Sequence, residues 1–201
     1  MEKIKILIPL FTILVMQHSM AQNVSRPPFV RQGLMDMSAG LTGGVMVFNP
    51  VQDVYINTSF AYCMEDRIAV RTDFFFFIPD ANFKGQLNRN SSILFGAEYH
   101  FPFQRFDLSL LLEPGVSFVY FQQGSTSTKT QTEPVISSSI STSYYILQNF
   151  HVFASAMYLH GDYFMEQAKP YQLDEFRITG GLGINIFVNH VPLFQRKRVK
   201  F

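Results

Sequence analysis

The stretch "RIAVRTDFFFFIPD", Arg67 to Asp80, sets four consecutive phenylalanines, Phe74 to Phe77, directly behind Arg71 and Asp73. Neither an apolar core nor a solvated surface suits all of it. Read at a period of two, as a pleated strand requires, it separates cleanly. Ile68, Val70, Thr72, Phe74, Phe76 and Ile78 share one face, and Arg67, Ala69, Arg71 and Asp73 share the other. The strand therefore asks what kind of protein turns its charges inward.

Composition narrows the answer. A chain of 201 residues holds one sizeable domain. Charged residues make up 15%, against about 25% in ordinary soluble domains, so the chain is short of solvating groups. A formal net charge of +1 gives no reason to expect nucleic acid or an acidic substrate. The single cysteine, Cys63, excludes an intrachain disulfide and a cysteine metal cluster, and reads as a small buried hydrophobe. The opening "MEKIKILIPLFTILVMQHSMAQ" carries basic Lys3 and Lys5, an apolar run from Ile6 to Met16, and a small-x-small site ending at Ala21. It reads as a secretory signal over residues 1–21, because Pro9 and Gln17 shorten the run below the roughly 18 apolar residues of a spanning helix. An exported, charge-poor chain without a later apolar run of that length is either soluble and secreted or an outer-membrane β-barrel.

About eight alternating segments follow residue 35, each near the 9–11 residues that a tilted strand needs to cross hydrocarbon. The first runs from Asp36 to Asn49, with Met37, Ala39, Leu41, Val45 and Val47 on one face. "DVYINTSFAYCM", the opening stretch, "SSILFGAEYHF" and "RFDLSLLLEPGVSFVYF" come next, then the serine-rich "PVISSSISTSYYI". "HVFASAMYLH" has two fairly apolar faces and no clear parity, whereas "EFRITGGLGINIFV" sets Phe176, Ile178, Leu182, Ile184 and Ile186 against Arg177, Thr179 and Asn185.

The connections alternate in length. Glu65-Asp66, Pro102 to Arg105 and Leu147 to Phe150 are tight, while Pro79 to Asn90, Gln122 to Glu133 and Gly161 to Asp174 are long and polar. Transmembrane barrels pair short periplasmic turns with longer outer loops, and a soluble sandwich has no reason to order them. Aromatics on the apolar faces sort in the same way. Tyr62, Tyr99, Phe101, Phe106 and Tyr144 lie next to tight turns, and Phe76, Phe118, Tyr120, Tyr158 and Phe176 next to long loops. Two such girdles are expected where a lipid-facing wall meets both interfaces.

Inside a small barrel side chains fill the lumen. If Ile78 faces Ser91 across the long loop, Arg71 lies opposite Glu98, with Asp73 and Glu113 at similar depth. Arg71, Asp73, Glu98 and Glu113 then form a plugging charge network, not a pair of catalytic carboxylates, which would need an open cleft. No catalytic residue, cofactor or metal site is expected: the histidines lack metal-ligand spacing, and "GGLGINIF" lacks the dinucleotide G-x-G-x-x-G and a following helix. Matching parities bring His160 near Ser138 at the outer rim, similar to the lipid-facing His and Ser of outer-membrane lipid A deacylases. Those enzymes carry a compact His-x-Ser unit, whereas this chain reads "HGDYF" there and offers no matching acid.

The signal, the alternating strands, the ordered loops, "LEPGVSFVYF" and the terminal "TGGLGINIFV" resemble the small outer-membrane β-barrels of Gram-negative bacteria, the OmpA/OmpX-like, porin-like superfamily. The resemblance implies an all-β, antiparallel up-and-down transmembrane barrel of about eight strands, located in the outer membrane, with Phe187 as the aromatic end of the last strand. The expected organisation is a signal peptide over 1–21, a periplasmic segment over 22–34, the barrel over 35–188 and a basic periplasmic tail over 189–201. The leading functional expectation is a non-enzymatic structural, accessory or interaction protein with a plugged lumen. A narrow channel for small or apolar solutes is the alternative, and a lipid-modifying enzyme comes third. Expected partners are outer-membrane lipid and lipopolysaccharide, with other outer-membrane or periplasmic proteins as further candidates.

Overall fold

Inward and outward side chains alternate around a closed barrel in the computed structural model of the protein, which describes residues 30, 32–48, 52–79, 87–123, 126–127, 131–161 and 173–188. The signal segment, most of 22–34 and the tail 189–201 lie outside the described residues. The strands are β1 (Leu34–Met46), β2 (Gln52–Glu65), β3 (Ile68–Phe77), β4 (Leu87–Phe103), β5 (Phe106–Gln123), the two-residue β6 (Thr126–Ser127), β7 (Gln131–Leu147), β8 (Phe150–Gly161) and β9 (Glu175–Phe187). Every pairing is antiparallel, and β1 closes on β9 with Leu34 opposite Phe187 and Met46 opposite Glu175. Eight strands make the wall, while β6 pairs only with the end of β5 outside it. β1 stops at Met46, short of the expected Asn49, because the Val47 amide turns to donate to the carbonyl of Asp174.

Three two-residue turns, Asp66-Arg67, Gln104-Arg105 and Gln148-Asn149, gather at the end where β1 begins and β9 finishes. The described parts of the longer connections leave from the opposite end.

Burial follows the pleat. In β5, Leu110 is 47% exposed while its neighbours Ser109 and Leu111 are 3% and 5% exposed. In β3, Ala69, Arg71, Asp73 and Phe75 are buried, and Ile68 and Phe76 are exposed. An eight-stranded barrel is just wide enough for its inward side chains to fill it, so "buried" here means facing the lumen. The outside carries the large apolar residues, among them Leu41, Phe95, Leu112, Ile140, Ile178 and Ile184. That is the reverse of a soluble domain.

The lumen is apolar at its ends and polar between them. Met46, Tyr55, Phe75, Leu94, Val119 and their neighbours cluster toward the long-loop end. Val30, Leu34, Cys63, Ala69 and Tyr145, with Phe187 packed on them, close the tight-turn end. Phe187 therefore points into the mouth of the barrel. This layering also settles β8, whose parity the sequence leaves open. His151, Phe153, Met157 and Leu159 point inward, and Ala154 and Tyr158 point outward.

The wall assignment has a direct test. Leu110→Arg should cost about 2–4 kcal/mol when the protein is unfolded from lipid vesicles with urea, since a cation near the midplane of a lipid face carries that penalty. Leu110→Phe should fold like the wild type. Equal behaviour of the two variants would contradict a lipid-facing β5.

Candidate functional site

Two buried guanidiniums organise the lumen. The first is Arg71. Its Nε donates to Oδ2 of Asp73 at 2.9 Å, one Nη to Oδ1 of Asp73 at 3.2 Å, and the other Nη to Oε1 of Glu98 at 3.4 Å. Asn57 also donates to Asp73, at 3.3 Å, and the Ser109 hydroxyl to Glu98 at 2.6 Å. Glu113, fully enclosed, accepts from Ser137 at 3.4 Å. The four charges singled out from the sequence thus share one region of the lumen.

The pairing between β3 and β4 differs from the expected one by two residues. Phe75, two short of Phe77, lies opposite Ser92; Arg71 lies opposite Gly96; and Glu98 lies opposite Ala69. A shift of two preserves which face every side chain occupies, so Arg71 still reaches Glu98, but diagonally. Gly96 itself is set by the other neighbour: a Cβ there would stand 1.9 Å from the Leu112 carbonyl oxygen and 2.8 Å from Cα of Glu113, so β4 approaches β5 too closely for any residue but glycine.

The second guanidinium is Arg177, which the sequence places inward but gives no partner. Its Nε and one Nη donate to Oε2 of Glu175 at 3.0 and 2.8 Å, and the same Nη donates to Ser92 at 3.3 Å. Its Cζ lies 4.4 Å from the ring centre of Tyr55 and 4.6 Å from that of Phe75, within cation–π range. The Tyr55 hydroxyl sits 2.8 Å from Glu175 and 3.2 Å from Asp53, and Asn90 donates to both Tyr55 and Glu175. Gly44 is required here, since a Cβ would stand 1.9 Å from Oε1 of Glu175. The signal that could have found this layer is its spacing. Glu175-x-Arg177 repeats the i, i+2 arrangement of Arg71-x-Asp73, which puts both partners on one face of a strand.

Phe75 answers the opening stretch. It is the one phenylalanine of the four that is fully buried, and it lies beneath Arg177. Phe76 is outward and 52% exposed, with Phe74 stacked alongside at 6.4 Å.

The remaining candidates are placed as follows. Tyr99, Phe106 and Tyr144 are exposed and Tyr62 and Phe101 half-buried, all on outward positions at the tight-turn end. Phe76, Tyr158 and Phe176 are exposed and Phe118 half-buried at the opposite end. The side chain of Tyr120 lies outside the described residues. At the outer rim, Nδ1 of His160 is 2.6 Å from Oδ1 of Asp174, an acid that the sequence comparison did not supply. His160 is paired with Ile136, however, while Ser138 is paired with Tyr158, so the ladder sets no nucleophile directly across from the imidazole. Among the described residues no cluster of His, Cys, Asp and Glu is arranged to hold a metal ion.

No protein-family model and no curated protein sequence matches the chain. Solved structures do. The outer membrane protein OprG from Pseudomonas aeruginosa superposes with a TM-score of 0.64 at 11% identity, over 79% of this chain and 98% of that one. The N-terminal β-barrel domain of P. aeruginosa OprF gives 0.57 at 15% identity, over 77% and 98%. Ail, the attachment invasion locus protein of Yersinia pestis, gives 0.54 at 14% identity, over 77% and 99%. The chain has the eight-stranded antiparallel fold of these outer-membrane barrels.

The geometry reassigns the dominant partner of Arg71. Arg71→Met should cost about 3–5 kcal/mol, the usual loss when one member of a buried ion pair is stranded. Adding Asp73→Asn should recover more of that loss than adding Glu98→Gln, because Asp73 receives two of the three guanidinium contacts. Urea unfolding of the single and double variants measures both couplings, and equal rescue by the two would contradict the observed hierarchy.

Proposed function

We propose that the protein is an integral outer-membrane barrel, non-enzymatic, whose lumen is closed by its own side chains and whose work is done by the wall and the outer loops in contact with lipid, lipopolysaccharide or other envelope proteins. The observation that carries this reading is the pair of buried arginine layers. Arg71 of β3 ties its own strand to the adjacent β4 on the lumen side, and Arg177 of β9 crosses the lumen to residues of β2, β3 and β4. Apolar clusters cap both ends. A solute crossing this interior would have to separate guanidiniums from carboxylates in a region of low dielectric, where each unpaired ion costs several kcal/mol.

The outward face supports the same reading. Large apolar side chains cover the wall, and aromatic residues concentrate toward its two ends, as an element embedded in a bilayer requires. The signal segment over 1–21 and the basic tail over 189–201 complete the proposal as export address and periplasmic extension. The enzyme reading loses support from the outer rim, where Ile136 occupies the place opposite His160.

Conductance separates plug from pore. Purified full-length protein in planar bilayers is expected to give no large, stable single-channel steps. Arg71→Gln combined with Arg177→Gln should admit small currents that prefer cations, because Asp53, Asp73, Glu98, Asp107, Glu113 and Glu175 remain buried along the lumen. Large steps from the wild type would overturn the closed-lumen reading.

A further inference from the structure

Just before β1 the chain turns across the tight-turn mouth of the barrel instead of leaving it. Gly33 makes the turn with a φ of 83°, in the left-handed region that side chains disfavour. It is held on both sides. Its amide donates to the Cys63 carbonyl of β2 at 2.9 Å, and its carbonyl accepts from the amide of Val188, just beyond β9, at 3.0 Å. The Gln32 amide donates to Oδ1 of Asp66, in the first tight turn, at 3.1 Å. Gln32 and Gly33 thus join the two strands that flank β1. Val30, upstream of this turn, is 1% exposed and belongs to the apolar cluster of Leu34, Cys63, Ala69 and Tyr145.

Val30 also borders a cavity of about 30 Å³, room for about two water molecules. Among the described residues that line this cavity, Val30 is the one that lies outside the strands of the wall. The lining includes Arg71, Glu98, His100, Asp107 and His151. Nε2 of His100, Oδ1 of Asp107 and Nδ1 of His151 are buried without a hydrogen-bond partner in the protein. Buried polar atoms of this kind are served by water. An apolar side chain from outside the wall therefore closes a chamber whose polar lining calls for water.

We propose that Val30, Gln32 and Gly33 form a lid on the tight-turn mouth, which opens without unfolding of the barrel and admits water and small solutes to the chamber beside Arg71. The inference rests on the fold, not on whether the lumen conducts. The named hydrogen bonds and one apolar side chain hold the lid. The strand it leads into is held far more firmly, since β1 is laddered along its length to both β2 and β9. A segment attached so sparsely opens at lower free energy than the strands behind it.

Cys63 is the single cysteine of the chain, is buried and lines the same cavity, so its thiol reports entry. In the full chain refolded in detergent micelles, at one fixed pH, methyl methanethiosulfonate should label Cys63 slowly. Val30→Gly should be labelled at least about tenfold faster, because the burial of a valine side chain favours a closed state by at least that factor. Leu159→Ala, in the apolar cluster toward the opposite end of the lumen, should be labelled like the wild type. Equal rates in the wild type and Val30→Gly, or an equal acceleration in Leu159→Ala, overturn the lid. Should Val30→Gly fail to fold, amide hydrogen exchange of the wild type decides: exchange of the Gly33 amide while the amides of β2 stay protected supports the lid, and exchange of both only together overturns it.

Discussion

A guanidinium enclosed by an eight-stranded barrel is tolerable only in the company of carboxylates, and that requirement shapes the whole molecule. Removing an ion from water costs several kcal/mol after relaxation, so Arg71 and Arg177 each need fixed acceptors. Both find the first acceptor two residues away on their own strand, Asp73 and Glu175. The alternation of the pleat then forces the intervening residues, Thr72 and Phe176, to the outside. Once the charges define the inside, most large apolar residues take the outer face, and the rest close the two ends of the lumen. The same constraint explains Gly44, where a side chain would collide with the carboxylate of Glu175.

The two layers are not equivalent. Arg177 is completely buried and lies over the rings of Tyr55 and Phe75, which meet edge to face, with Tyr55 also hydrogen-bonded to its carboxylate partner. Its charge is balanced by one carboxylate in direct contact and two aromatic faces. Arg71 depends on two carboxylates and borders the cavity at the tight-turn mouth. Buried ion pairs of this kind are weak sources of net stability and stronger sources of specificity. Here the Arg177 layer joins strands across the lumen, and Arg71 ties β3 to the adjacent β4. On the proposed reading, the closed interior leaves the wall and loops as the surfaces through which the protein would meet lipid and partners.

Most of this architecture is legible in the sequence because the side-chain period of a strand is fixed at two. Arg71, Asp73, Glu98, Glu113 and Arg177 all read as inward, and Leu110, Phe176 and Ile184 as outward, from alternation alone. Tight turns are equally legible, since few residues separate the alternating runs. Alternation loses its meaning in β8, where Met157 and Leu159 belong to an apolar end of the lumen and contrast little with the outward alanines. Register across a long loop is also invisible, which is why Arg71 meets Gly96 where direct opposition to Glu98 is the natural expectation. The contacts of Arg177 with Tyr55, Phe75, Asn90 and Ser92 join residues remote in the chain, and only closure of the barrel brings them together. The same holds for His160 and Asp174, which face each other at the rim across β8 and the start of β9.

The central claim is that adjacent residues of the phenylalanine run face opposite environments, Phe75 the charged lumen and Phe76 the lipid. The chain contains no tryptophan, so Phe75→Trp and Phe76→Trp each introduce a single, unambiguous fluorophore. With both variants refolded into vesicles of lipids with brominated acyl chains, the tryptophan at position 76 should be strongly quenched relative to unbrominated vesicles and the tryptophan at position 75 should not. Comparable quenching at the two positions, or quenching at 75 alone, would contradict the inward-charged, outward-apolar barrel.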